Sequence, residues 1–189
     1  MLPLQLLWLN LLTDGLLGLG MGFEPAERGV MKRPPISPTA GIFSGGLGRH
    51  VTWVGALIGV AALAVGYAYW AGGSDKWQTL LFNTLAFAQV GQALASRSNR
   101  ESLFSIGLLS NKPLLGMLAI VVLAQVGVLL LPFMETFFKT EPLGLRDWLV
   151  SVGVGLVVFL AIEVEKWLIR QRPSEIIVPS NAAPARPTL

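Results

Sequence analysis

LPLQLLWLNLLTDGLLGLGM, residues 2–21, is the stretch that decides the fold. It has the length of a transmembrane helix, which needs about 20 mostly apolar residues to cross the hydrocarbon core. Only Gln5, Asn10, Thr13 and Asp14 interrupt it. No basic segment precedes it and no small-residue cleavage site follows cleanly. It therefore reads as a membrane span rather than a signal peptide, with an uncleaved signal anchor as the alternative. The composition agrees. Of 189 residues 53% are hydrophobic and 13% charged, and the mean hydropathy is +0.62. A soluble domain carries about 25% charged residues, so this chain lacks the polar surface to stay dissolved, and bilayer is its natural solvent.

Working outward, four further stretches qualify as spans. Residues 51–71 contain no charge, and residues 114–133 have Gln125 as their one strongly polar member. Residues 148–169 are apolar until Glu163. Residues 77–96 are the least apolar, with Asn83, Thr84, Gln89 and Gln92. The expected fold is all-α, a polytopic membrane helix bundle of about five transmembrane helices. Residues 1–172 form its domain, and 173–189, rich in Pro, Ala and Ser, form a disordered tail. Between the spans, residues 24–49 read as an extended surface loop because X-Pro pairs disfavour helix. GGSDK is a short turn. SRSNRES to Asn111 is expected to hold a short surface helix, and residues 134–147 to lie along the interface.

The basic residues orient the bundle. With five spans, eleven of the fourteen Lys and Arg fall on the side of the long first loop and the tail, and Lys76, Lys139 and Arg146 on the other. The positive-inside rule then places the first loop and the C-terminus in the cytoplasm and the N-terminus outside. The pI of 9.6 is thus a topology signal, and no nucleic-acid partner is expected. Cysteine is absent and His50 is the sole histidine, which excludes thiolate sites, disulfides and His-based zinc clusters.

Asp14 is the residue that needs explaining, because a carboxylate at mid-bilayer costs about 2.5 kcal/mol or more and usually faces a bundle interior or cavity. Asn10, Thr13 and Asp14 are spaced i, i+3 and i+4, one face of an α-helix. They offer an amide oxygen, a hydroxyl and a carboxylate, hard donors suited to Ca²⁺, Mg²⁺, Mn²⁺, Na⁺ or a proton. Gly15, Gly18, Gly20 and Gly22 follow, and are expected to let the helix unwind and free backbone carbonyls. The competing reading is that these polar groups are interhelical hydrogen-bond glue. Asn83 and Thr84 read as glue, Gln125 as an isolated interhelical bond, and Gln89 with Gln92 as neutral ligands or glue. Glu163 and Glu165, beside Lys166 and Arg170, read as solvated interfacial ion pairs. Gly55 with Gly59, and Ser151 with Gly155, are small-xxx-small pairs suited to close helix packing.

The run LPLQLLWLNLLTDGLLGLGMGFEPAERGVMKRPP resembles the type II P-type cation-transporting ATPases, the sarcoplasmic-reticulum-like calcium pumps and their bacterial relatives. It is similar to their sixth transmembrane helix and the loop after it. ALASRSNRESLFSIGLLSNKPLL is similar to the end of the eighth helix and its loop. The resemblance covers residues 2–172 and implies helices six to ten of such a pump. It implies that Asn10 and Asp14 bind the transported cation and that Thr13 helps form a second site. It places Gln89 where those pumps supply a glutamate to that second site. A neutral amide there weakens the site, so one transported ion is expected. The implied membrane is a bacterial plasma membrane.

DKTGT, TGE and TGDGxND occur nowhere in the chain. By itself it is therefore not expected to be an enzyme or to hold a cofactor; ATP and Mg²⁺ would be bound by the remaining part of a pump. The expected partners are the lipid bilayer and that N-terminal part, with this chain a fragment, split subunit or truncated frame. Two other readings compete: a non-catalytic membrane scaffold, and a secondary transporter using Asp14 as a proton or sodium relay. The lack of an inverted repeat counts against the second.

Overall fold

The computed structural model describes residues 1–26, 46–98 and 101–171, with Met31, Gly41 and Phe43 singly. Most of the expected first loop and all of the tail lie outside the described residues. The elements in chain order are α1 (Pro3–Met21), α2 (Leu47–Ala71), α3 (Trp77–Ala95), α4 (Leu103–Ile106), a 3₁₀ turn (Leu108–Ser110), α5 (Lys112–Leu130), α6 (Pro132–Phe138) and α7 (Leu145–Gln171). No strand occurs among the described residues.

Local chemistry sets several of the boundaries. Pro3 and Pro132 open α1 and α6, where a missing N–H costs nothing. Asn111 caps α5, its side-chain oxygen accepting from the Leu114 amide at 2.9 Å. Lys139, in the left-handed conformation at φ 51°, ends α6. The expected helix over SRSNRES to Asn111 is the single turn α4, and residues 134–147 hold the rest of α6, a short connection and the start of α7.

Four helices, α1, α2, α5 and α7, are long and apolar enough to cross a membrane. The third expected span, α3, is a 19-residue helix that falls short on apolarity. Its surroundings explain why: eleven of its residues are buried, including Thr79, Asn83 and Thr84, whereas the 25-residue α2 buries only Val54, Ala62 and Gly66. A helix wrapped by other helices meets protein rather than lipid, and its polar side chains can find partners there.

α3 packs most extensively on α7, and glycine makes the contact possible. A Cβ at Gly155 would stand 2.5 Å from the Phe87 carbonyl oxygen, and one at Gly91 would collide with the Gly155 carbonyl. The two backbones touch there, and Ser151, one turn before Gly155, pairs with Thr84 at 3.4 Å. The Ser151–Gly155 motif is thus used as expected. Gly55 and Gly59 are not: nothing lies within 4 Å of a Cβ at either. α2 meets α3 instead at Gly66, where a Cβ would come 2.8 Å from Leu81.

The acidic residues near the end of α7 depart from the expected solvated pairs. Glu163 does pair with Lys166 at 2.8 Å, but Lys166 is buried and also donates to the Ala95 carbonyl. Glu163 further accepts from the Ser102 hydroxyl at 2.6 Å. Glu165 reaches across to His50 at 2.6 Å rather than to a base on its own helix. The ends of α2, α3 and α7 are tied together by these contacts.

Candidate cation-binding face of the first helix

The six residues Leu9–Asp14 of α1 are wound as a π-helix between two α-helical segments. Single π turns inside α-helices frequently mark functional sites. The expected unwinding at the glycines does not occur: Gly15 keeps α-helical angles (φ −63°, ψ −48°) and the helix continues to Met21. With no carbonyl-freeing break at Gly15–Gly22, the irregularity falls on the polar residues themselves.

The π winding separates the three oxygen donors. A π turn takes more residues than an α turn, so Asn10 and Asp14, four apart, stay in line while Thr13 rotates away from Asn10. Asn10 and Asp14 are exposed, on a stripe with Leu11, Gly15 and Gly18. Thr13 is 0% exposed on the packed side, and its hydroxyl has no hydrogen-bond partner among the described residues. The shared face expected from i, i+3 and i+4 spacing therefore holds for Asn10 and Asp14 but not for Thr13.

The packed side follows a regular register. Leu9 clusters with Phe82 and Ala86, and Leu17 clusters with Ala93 and Val121. α1 and α3 thus run parallel, and Thr13, midway between Leu9 and Leu17, comes to the level of Gln89 and Val90. Gln89 is half-buried, with its side-chain oxygen buried and unpartnered among the described residues. Of the four candidate residues, Asn10 and Asp14 are exposed together, Thr13 is buried on the packed side of α1, and Gln89 is half-buried on α3. Among the described residues no cluster of three or more His, Asp or Glu could hold a metal ion alone. A hard cation such as Ca²⁺ takes 6–8 oxygens, so Asn10 and Asp14 can form only one side of a cage.

Both ends of α1 are fastened, by the expected interhelical residue Gln125 and by others whose partners spacing does not reveal. At the Pro3 end Gln5 is buried, accepts from the Leu2 amide at 3.1 Å and donates to the Phe138 carbonyl at 3.1 Å. Trp8 donates its indole N–H to Gln125 at 2.9 Å and meets Phe138 edge-on, ring centres 5.0 Å apart. At the other end Gly20 lies against α5, where a Cβ would come 2.9 Å from the Leu114 Cα. Asn111 donates to the Gly20 carbonyl at 3.1 Å and to Glu24 at 2.7 Å. Glu24 takes two bonds from Arg97, at 2.7 and 3.0 Å, and the Arg97 side chain is 1% exposed. Burial pushes the Glu24 carboxyl up, but the bonds from Arg97 and Asn111 and the Arg97 charge outweigh it and hold it below the ordinary glutamate range. For Gln5 and Gln125 the available signal was a polar atom inside an apolar run, which gives no partner; Glu24, Arg97 and Asn111 lie in polar loop sequence that carries no such signal.

Residues 1–168 match the family described as cation transporting ATPase, C-terminus. The chain belongs to this family of cation-transporting P-type ATPases. A calcium-transporting ATPase of Listeria monocytogenes is 35% identical over 164 residues, covering 86% of this chain and 18% of the relative. Calcium-transporting ATPase 1 of Lactococcus lactis is 32% identical, with 86% and 19% covered. Calcium-transporting ATPase type 2C member 2 of Mus musculus is 30% identical over 184 residues, with 92% and 19% covered. The chain spans under a fifth of the length of these relatives. In a family of this kind the apolar helices are membrane helices, and the exposed Asn10–Asp14 stripe belongs to an integral membrane domain.

Proposed function

We propose that this chain is the C-terminal membrane part of an ATP-driven cation pump, and that Asn10 and Asp14 bind the transported ion, Ca²⁺ or a similar hard cation. One observation carries the reading: a carboxylate near the middle of a membrane-crossing helix stands exposed and without a partner among the described residues. Left facing lipid, such a group is costly; paired with a cation and with ligands from neighbouring helices, it is not. The amide of Asn10 adds a neutral oxygen one turn away. The calcium pumps among the relatives support the choice of ion class.

In this reading the remaining part of the pump brings the other ligands, the phosphorylated aspartate and the sites for ATP and Mg²⁺. Phosphorylation there changes access to the ion held at Asp14. The neutral amide of Gln89, together with the burial of Thr13 away from the Asn10–Asp14 stripe, favours a single ion over two. The distribution of basic residues supports a cytoplasmic side for the Met21 end of α1 and the end of α7, and the bacterial relatives favour a bacterial plasma membrane. The test is cation-dependent phosphorylation of the assembled pump. Asp14→Asn abolishes it while the protein still folds; unchanged cation dependence in that variant would sink the assignment.

A further inference from the structure

Gln125 is the one strongly polar residue in the apolar run of α5, residues 114–130, and it makes two bonds rather than the isolated one expected of it. It accepts the Trp8 indole N–H at 2.9 Å and donates to the Asn83 side-chain oxygen at 3.2 Å. Gln125 is 2% and Asn83 0% exposed, so this relay runs dry through the junction of α1, α5 and α3. Its direction is fixed from one end. An indole can only donate, so the Gln125 oxygen must face Trp8 and its amide nitrogen must face Asn83. Asn83 must then present oxygen, which leaves its own nitrogen without a partner among the described residues. The relay thus keeps a buried donor unsatisfied, an arrangement poorly explained by stability alone, since hydrogen bonds between membrane helices contribute only about 0.6 kcal/mol on average. What a directional relay adds to apolar packing is a further constraint on the rotation of α1 about its axis at Trp8. Trp8 is the residue immediately before the π segment Leu9–Asp14.

We propose that Gln125 is a positioning residue for the cation-binding face: by fixing Trp8 it sets where the π segment begins, and so where Asn10 and Asp14 point. The inference rests on the reading of Asn10 and Asp14 as ion ligands, and its test separates the two. The chain has no cysteine, so cysteines introduced at the exposed Leu11 and Leu123 carry a clean pair of spin labels in nanodiscs. The starting protein gives one narrow distance; Gln125→Leu broadens it, and Gln125→Glu restores it. Glutamate keeps an acceptor for the indole and lets Asn83 turn its amide to donate. In the assembled pump, Gln125→Leu raises the cation concentration for half-maximal phosphorylation about fivefold, the worth of roughly one hydrogen bond, at an unchanged maximum. Trp8→Phe does the same, the double variant is no worse than either single one, and Gln125→Glu restores the affinity. An unaltered distance distribution, or an unaltered half-saturating concentration, in Gln125→Leu overturns the proposal. If the Gln125→Leu distances broaden but phosphorylation is indifferent to Asp14→Asn, the ion assignment has failed and the positioning role falls with it.

Discussion

The two faces of α1 obey opposite rules. On the packed face, almost every polar atom has a named partner: Gln5 with Phe138, Trp8 with Gln125, the Gly20 carbonyl with Asn111. On the other face, Asn10 and Asp14 stand exposed among Leu11, Gly15 and Gly18, without a hydrogen-bond or ion-pair partner among the described residues. The first face is built to be held and the second to be met. The same residue types, amides and glycines, thus serve packing on one side of a helix and await a partner on the other. The π turn keeps the two sets apart, since it sends Thr13 to the held side and leaves Asp14 on the free one.

The sharpest way to break this contrast is through the glycines. Gly20→Leu drives a side chain into the Leu114 backbone, 2.9 Å from where its Cβ must go. Overpacking costs typically 1–3 kcal/mol, occasionally more, and with backbone rather than a flexible tip in the way about 3 kcal/mol is expected here. Gly18→Leu, with nothing within 4 Å of its Cβ, changes stability by less than about 0.5 kcal/mol. Thermal melts of the two variants in the same detergent compare them directly. Equal losses would mean that the two faces of α1 are packed alike.

Much of the bundle was legible from residues because a bilayer leaves few choices: a run of about 20 apolar residues must be a helix with its backbone bonds satisfied internally. α1, α2, α5 and α7 follow from that argument, with ends shifted by a few residues. α3 was the weakest span for a physical reason, since a helix buried among helices is not selected for contact with lipid. The pairing of Asn10 with Asp14 was legible from spacing. The separation of Thr13 was not, because i, i+3, i+4 reasoning assumes α-helical winding and nothing in LNLLTD announces a π turn. The fasteners Glu24, Arg97 and Asn111 are far apart in sequence, and only the fold brings them together.

Acid sharpens the contrast at the Met21 end of α1. The Glu24 carboxyl is held below its ordinary range in the folded chain, so the unfolded chain binds a proton more readily than the folded one. The stability it contributes is therefore complete above the ordinary glutamate range and is lost as pH falls through the lowered folded value. Melting temperature followed downward from neutral pH should drop in that acidic window. Glu24→Gln, which keeps an acceptor but carries no charge, starts lower at neutral pH and loses this part of the acid dependence. A variant with the same acid slope as the starting chain would show that the Arg97–Glu24 pair does not fasten α1.

The smallest effect separates the two amides of α1, five residues apart. Gln5→Leu leaves the Phe138 carbonyl and the Leu2 amide without their buried partner, and the loss should lie near 1 kcal/mol, within the range measured for hydrogen bonds inside membrane bundles. Asn10→Leu removes an exposed amide that bonds nothing among the described residues, so in a bilayer the isolated chain becomes slightly more stable, by a few tenths of a kcal/mol. The assembled pump reverses the ranking. There Asn10→Leu removes an ion ligand and lowers cation affinity, whereas Gln5→Leu leaves the affinity close to its starting value. Melting in nanodiscs and cation-dependent phosphorylation, measured on the same two variants, should order them oppositely. If both measurements order them the same way, the face carrying Asn10 is one more packing surface, and the division of α1 into a held face and a free one does not stand.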